Sequence, residues 1–468
     1  MNDLPIKFGT DGWRAVIGRD YTFANVERVA QAYADYLLQN SKSPYVVVGY
    51  DRRFLSEMFA PRAAEVLADN GIRVSLFPEA APTPLISWAV RELKADGGVV
   101  ITASHNPADF NGFKIKAPWG GSAAPETTHA VEQLVDASSP KRASSPVEPD
   151  QHGLAPAIES YRSQIASYVD LELLRRFEGT VIVDPMHGSG GNWVESFLTG
   201  GSLKAETIRA YRDPLFGGVN PEPIDSNLDA LKQRVVQTNA LLGVATDGDA
   251  DRVGAVNERG ETMTMHQVVP LVLLHLVRER KMSGGIVRTF SQSVLLNRIA
   301  AAFNLPLHET PIGFKYIAEL MLNGDILIGA EESGGIGVKG HIPERDGILN
   351  SLLFLEAIVT AGKPPSQMLA ELHREYGEFH FARTDLRVAP GPGQKLVDNL
   401  AHNPLAELAG HPVTGVETMD GTKLLFADES WLLFRQSGTE PVLRIYSEAT
   451  SVAKTQELLR AGEEFATG

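Results

Sequence analysis

Three times in this chain a short, apolar, largely β-branched run stops at a loop crowded with hydroxyl or charged side chains. Val99-Val100-Ile101 leads into Thr102-Ala103-Ser104-His105-Asn106-Pro107, Leu242-Gly243-Val244-Ala245-Thr246 into Asp247-Gly248-Asp249-Ala250-Asp251-Arg252, and Ile326-Leu327-Ile328-Gly329 into Ala330-Glu331-Glu332-Ser333-Gly334-Gly335. Runs so short and so uniformly apolar read as buried strands. Helical periodicity fills the intervals: Val26, Val29, Ala30, Tyr33 and Leu37 share one face, and the pattern from Ser56 to Asn70 closes on Gly71. Strands alternating with helices imply right-handed crossovers and mainly parallel sheets, in which ligands bind beyond the carboxyl ends of the strands.

At 468 residues the chain exceeds a single core, and about three or four domains are expected. Ser138-Ser139-Pro140-Lys141-Arg142-Ala143-Ser144-Ser145-Pro146 has little to bury and marks a first boundary. A second α/β stretch reads as a helix from Ala157 to Phe177, the strand Thr180 to Asp184, a strand from Thr207 to Tyr211, and the run ending at Thr246. A third carries a helix from His266 to Lys281, the strand Gly285 to Phe290, a helix from Ser293 to Asn304, and the run at Ile326. From about Phe379 the pattern becomes alternating, around Leu424 to Phe426, Trp431 to Phe434 and Val442 to Tyr446, which predicts an antiparallel sheet in a smaller α+β domain with a terminal helix from Val452 to Phe465. The expected divisions are 1–140, 155–255, 256–370 and 375–468.

The net charge of -15 opposes a general nucleic-acid or anionic-membrane surface, so a phosphate ligand must meet locally placed cations. With no cysteine there is no disulfide, thiolate catalysis or cysteine-bound zinc. The start lacks a leader pattern and no apolar run is long enough to span a bilayer, so a cytoplasmic protein with small-molecule partners, and neither nucleic acid nor membrane among them, is expected.

Pro107 pushes Asn106 out of the helical region, so Ser104 sits in a turn at a strand end, either as a nucleophile or as an ordinary capping serine. Asp247, Asp249 and Asp251 repel one another unless a cation neutralises them, and hard oxygen donors in a tight loop suit Mg²⁺. Arg252 adds a cation where a phosphate would approach. Gly9-Thr10-Asp11-Gly12-Trp13-Arg14 reads as a loop that could bring Arg14 to an anion. Glu331 and Ser333 suit the hydroxyls of a sugar. Arg435-Gln436-Ser437-Gly438-Thr439-Glu440-Pro441, with Arg444 on the next strand, carries the donors needed to hold a phosphate dianion. Lys114 becomes a general acid/base if it lies near Ser104 and other cations. Gly335-Ile336-Gly337-Val338-Lys339-Gly340 matches the dinucleotide fingerprint, but no helix opens at its third glycine, so that reading is rejected.

Taken together, Thr-Ala-Ser-His-Asn-Pro, Asp-Gly-Asp-Ala-Asp-Arg, Glu-Glu-Ser-Gly-Gly and Arg-Gln-Ser-Gly-Thr-Glu-Pro, in this order, resemble the α-D-phosphohexomutase superfamily across the whole chain. The resemblance implies a heart-shaped enzyme around a central cleft, with three related mixed α/β domains and a C-terminal α+β domain. It implies phosphoserine at Ser104 with His105 beside it, Mg²⁺ held by Asp247, Asp249 and Asp251 together with the Ser104 phosphoryl group, and Lys114 in proton transfer. By the same carry-over Glu331 and Ser333 grip the sugar, while Arg435, Ser437, Gly438 and Thr439 clasp its non-reacting phosphate. Lys315, in a further specificity loop, is placed near that phosphate. The implied reaction interconverts hexose 1-phosphate and hexose 6-phosphate, of glucose or mannose, with a hexose 1,6-bisphosphate such as glucose 1,6-bisphosphate as intermediate and activator. Gly335 stands where some relatives have histidine, which makes His341 the candidate for the second proton-transfer group. The Glu-Glu-Ser loop is closer to the phosphoglucomutase and phosphomannomutase branches than to phosphoglucosamine mutases. A metal-dependent sugar phosphatase and a non-catalytic phosphosugar-binding protein are the rival readings.

Overall fold

The computed structural model describes residues 6–9, 12–141, 145–388, 390–437 and 441–467. The chain forms two compact units, one of residues 1–263 and 333–366, the other of 264–332 and 367–468.

The first unit contains two five-stranded sheets that share the order and directions of four strands; the fifth, an antiparallel edge strand, comes first in chain order in one sheet and last in the other. One orders Trp13–Val16, Phe110–Lys116, Gly97–Ile101, Tyr45–Tyr50 and Arg73–Leu76; the other orders Thr262–Met263, Val253–Asn257, Leu242–Thr246, Gly179–Asp184 and Leu203–Thr207. Each is mixed rather than mainly parallel. Gly97–Ile101 runs parallel to Tyr45–Tyr50 but antiparallel to Phe110–Lys116, and Leu242–Thr246 runs parallel to Gly179–Asp184 but antiparallel to Val253–Asn257. The connecting loops 102–109 and 247–252 are shorter than the crossover of about a dozen residues that a parallel pair requires. The serine loop and the three-aspartate loop are therefore the same loop of the same motif, one in each sheet. The central strands are buried at every position, as their unbroken apolar sequence requires. Helices Phe23–Asn40 and Ser56–Asp69 cover the first sheet and enclose a core that includes Tyr33, Phe59, Leu67 and Ile101. Helix Gly347–Ala361, buried from Gly347 to Val359, packs in this unit against Leu242–Thr246 and Val253–Asn257.

In the second unit, strands Leu307–Thr310, Gly285–Thr289 and Ile326–Ala330 pair in parallel, and a six-stranded antiparallel sheet runs His380–Arg387, Val442–Ala449, Trp431–Gln436, Thr422–Phe426, His411–Glu417, Glu407–Leu408. One face of that sheet, with Leu432, Phe434, Leu443 and Ile445, closes on helices Pro390–His402 and Val452–Thr467. The other carries Arg383, Arg435, Arg444 and Tyr446.

Several local expectations change. The strand expected at Thr207 to Tyr211 is Leu203–Thr207, an edge strand whose Lys204 and Glu206 broke the apolar pattern. The helix expected from Ala157 to Phe177 is two, Gln151–Tyr168 and Leu171–Arg176, because Asp170 caps a new start by accepting from Leu173 N. The helix expected to run to Lys281 is α-helical over Met265–Leu274 and then passes into a π-turn. Arg14 lies not in a loop but on strand Trp13–Val16, opposite Gly112.

Candidate active site

Ser104 is buried and adopts φ +53°, a conformation that L-residues rarely occupy without support. The support starts one strand away. Asp51, which follows Tyr45–Tyr50, accepts from Thr102 Oγ1 at 2.5 Å, and Thr102 Oγ1 in turn accepts from Ser104 N at 2.8 Å. The wholly buried Arg53 pairs with Asp51 and donates to the carbonyls of Ser104, Asn106, Pro107 and Phe110 at 2.6–3.1 Å. With its backbone clamped in this way, Ser104 Oγ donates to Asp247 Oδ2 at 2.8 Å. A Cβ on Gly248 would lie 2.5 Å from the Ser104 carbonyl, so the two loops meet only because glycine stands there.

Asp247, Asp249 and Asp251 are all buried, each with an oxygen within 4.8 Å of the others. Lys114 Nζ lies 2.7 Å from Asp249 and 3.2 Å from Asp251, and Thr83 Oγ1 donates to Asp249 at 2.8 Å. Burial and the neighbouring Asp249 and Asp251 push the Asp247 carboxyl well above its usual range. For Asp249 burial acts in the same direction but is outweighed by the Lys114 ammonium, which holds that carboxyl low. The Lys114 ammonium offsets only part of the charge of three buried carboxylates, and a divalent cation would offset the rest. Asp249 Oδ1 and Asp251 Oδ1 have no hydrogen-bond partner, so the donor set fits a hard divalent cation.

Around this centre, His105 Nδ1 is 3.4 Å from Ser104 Oγ. Burial, then the charges of Arg252, Arg14, Lys114 and Arg53, push His105 well below the usual histidine range, so it is neutral near pH 7. Arg14 donates to Asn106 Oδ1 at 2.7 Å, and Arg252 is 3.6 Å from Glu222. Lys114 reaches the aspartates from a buried strand rather than from the surface. His341, also in the first unit, stacks on Trp88, and its Nε2 is 3.0 Å from Asp346.

In the second unit, Arg435 and Arg444 are cross-strand partners. Arg435 Nε lies 2.9 Å from Asp420 Oδ1, while Asp420 Oδ2 accepts from Ile312 N at 2.8 Å, joining the arginine strand to the loop that precedes Lys315. Lys315 is in the first turn of Phe314–Asn323. Ser437 N donates to Val442 O. Gly438 and Thr439 lie outside the described residues. Glu331 is buried at the end of Ile326–Ala330, and Glu332 Oε2 is 3.4 Å from Thr289 Oγ1. Ser333 opens the segment that packs with the first unit.

Asp51, Arg53, Thr83, Arg345 and Asp420 were not singled out from the sequence. Asp51 had a signal, since Asp51-Arg52-Arg53 follows an apolar run just as the other site loops do.

Four domain families match in chain order: phosphoglucomutase/phosphomannomutase α/β/α domain I over residues 5–142, domain II over 159–260, domain III over 264–376 and the C-terminal domain over 395–462. A phosphoglucomutase/phosphomannomutase of Thermococcus kodakarensis is 33% identical over 97% of both chains, and a phosphoglucosamine mutase of Carboxydothermus hydrogenoformans is 31% identical over 97% of both. The crystal structure of a putative phosphomannomutase from Thermus thermophilus superposes with a TM-score of 0.87 at 38% identity, covering 99% of this chain and 100% of that one. The four-domain architecture and the full-length relatives agree: the chain belongs to the phosphoglucomutase/phosphomannomutase family of the α-D-phosphohexomutase superfamily, and is an isomerase of the intramolecular phosphotransferase type.

Proposed function

We propose that the protein interconverts the 1-phosphate and 6-phosphate of glucose, mannose or both, with Ser104 carrying the transferred phosphoryl group and a hexose 1,6-bisphosphate as intermediate and activator. The observation that carries this reading is the buried Ser104 Oγ, fixed by a clamped backbone and hydrogen-bonded to the first of three clustered carboxylates.

Phosphoryl transfer asks little covalent chemistry of a protein but much positioning and charge compensation. Asp247, Asp249 and Asp251, with an oxygen on Ser104, would hold Mg²⁺, which when bound offsets charge on the transferring oxygens. Arg53 and Asp51 keep Ser104 Oγ aimed at one point, so attack proceeds in line. Arg14 and Arg252 supply fixed positive charge beside it. Lys114 Nζ exchanges the proton of the sugar hydroxyl as the bond to phosphorus forms or breaks. Neutral His105 can accept or donate a hydrogen bond without adding charge. Glu331 and Ser333 take the sugar hydroxyls. Arg435, Ser437 and Arg444, with Gly438, Thr439 and Lys315, hold the phosphate that is not reacting, at either end of the hexose as the bisphosphate turns over. The protein is further proposed to act in the cytoplasm.

Full-length relatives of both the glucose/mannose and the glucosamine type match at nearly equal identity. The preference for glucose or mannose rests instead on Glu332 and Gly335 in the sugar loop. Turnover of glucose 1-phosphate, mannose 1-phosphate and glucosamine 1-phosphate, with Mg²⁺ and glucose 1,6-bisphosphate present, tests it. One or both of the first two are expected to be isomerised fastest. A faster reaction with glucosamine 1-phosphate would move the chain to that branch, and release of inorganic phosphate without isomerisation would make it a phosphatase.

A further inference from the structure

The segment from Gly334 to Gly347 holds the metal loop from both sides. Val253 N donates to Gly334 O and Gly347 N donates to Ala250 O, each at 3.0 Å. The backbones touch: a Cβ on Gly334, whose φ is +97°, would lie 2.4 Å from Val253 O, and one on Gly347 would lie 2.3 Å from Arg252 O. Between these anchors Glu344, Arg345 and Asp346 are consecutive and buried, and each meets a different partner. Glu344 accepts from Lys116 at 2.8 Å and from Ser122 at 3.2 Å. Asp346 caps helix Gly347–Ala361 through Ile348 N and Leu349 N and accepts from Tyr161 Oη at 2.9 Å. Arg345 Nη2 lies 3.0 Å from Asp251 Oδ2, the oxygen that Lys114 also contacts, and Asp251 Oδ1 has no hydrogen-bond partner.

We propose that Arg345 is a positioning residue for the metal: by engaging Oδ2 it fixes the plane of the Asp251 carboxylate and presents Oδ1 to the cation. The proposal rests on the reading of the three aspartates as a metal site. A ligand carboxylate free to rotate about its Cβ–Cγ bond loses order on binding, and groups that fix such ligands contribute substantially to affinity. A planar guanidinium, with its donors in a fixed fork and Glu344 paired to it at 3.3 Å, does this better than a second ammonium on an oxygen that already carries one.

Charge and geometry must be separated in the test, because removing a cation beside a metal site also removes repulsion. Arg345→Lys keeps the charge. Mn²⁺ alone is titrated into wild type, Arg345→Lys and Asp249→Asn, with free Mn²⁺ followed by electron paramagnetic resonance. Arg345→Lys is expected to bind Mn²⁺ about 10-fold more weakly than wild type, with its melting temperature in chelator and its KM for hexose phosphate at saturating metal unchanged, and Asp249→Asn is expected not to bind. Arg345→Lys binding as wild type does, while Asp249→Asn fails, would overturn this inference alone; wild type failing to bind would overturn the metal reading and this inference with it. Should Arg345→Lys not fold, Arg345→Gln and Arg345→Ala repeat the comparison at equal charge. Gln, which can still donate to Oδ2, is expected to bind more tightly, and equal affinity would overturn the proposal.

Discussion

The serine centre of the first unit and the arginine pair of the second both assemble oppositely charged groups, yet they are built differently. Around Ser104 the reacting groups are buried and engage one another: Oγ meets Asp247, Lys114 meets Asp249 and Asp251, and Arg53 binds four carbonyls. Arg435 and Arg444 are 17% and 23% exposed in their side chains, and lean on Asp420 at 2.9 Å and Asp385 at 3.9 Å. A buried, mutually constrained cluster holds one geometry, which a transfer at one atom requires. Partly exposed arginines on short acidic tethers can release those tethers and accept a phosphate in more than one pose, which suits a ligand that must be held by either end.

If that contrast is right, changes in the first centre alter the chemical step and changes in the second alter substrate affinity. Lys114→Met should lower kcat by about 10²–10⁴-fold, the span typical of a lost general acid/base. It should also destabilise the chain measurably in chelator, since it leaves Asp249 buried without the cation that pairs with it. Steady-state kinetics with and without Mg²⁺ would check the first effect and melts in chelator the second; a change confined to KM would break the comparison. Arg435→Ala should raise KM for hexose phosphate by about 10–10²-fold, as expected for a lost charge-assisted hydrogen bond, with the melting temperature almost unmoved because Asp420 keeps its hydrogen bond from Ile312 N. A fall in kcat alone would contradict the account of the clasp.

The smallest effect concerns the sheet that carries the clasp. Burial tends to raise Asp428, but Lys454 at 2.8 Å and Ser430 outweigh it and draw the carboxyl down to about 2. A depressed folded value means that the stabilisation is present above the unfolded value of about 4 and is lost as pH falls toward about 2. Because the Asp428 side chain is 38% exposed and solvent screens the pair, Asp428→Asn should cost under about 1 kcal/mol at pH 7, and the variant should lose less stability than wild type on acidification, as read by urea melts between neutral and acid pH.

Much of the first centre was legible because strand ends announce themselves: uniformly apolar Gly97–Ile101 and Leu242–Thr246 can only be buried strands, so the polar residues after them must gather at a sheet edge. Lys114 was harder to place, since a lysine inside a buried strand has no local signature and is explained only by aspartates that stand far along the chain. Arg345 was invisible for the same reason. Leu203–Thr207 escaped as an edge strand with polar positions, and the association of residues 333–366 with the first unit has no marker in a pattern that otherwise reads as a third α/β stretch. Local periodicity reports which face is buried. It does not report which distant charge a buried side chain will meet.

The central claim is that Ser104 is the residue that carries the phosphoryl group. Wild type and Ser104→Ala would each be incubated with glucose 1,6-bisphosphate and Mg²⁺, then analysed by intact mass and by mapping of the modified peptide. The account requires one added phosphoryl group on Ser104 in wild type, none in the variant, and no mutase turnover by the variant. A phosphoryl group on another residue, or undiminished isomerisation by Ser104→Ala with the bisphosphate present, would contradict it.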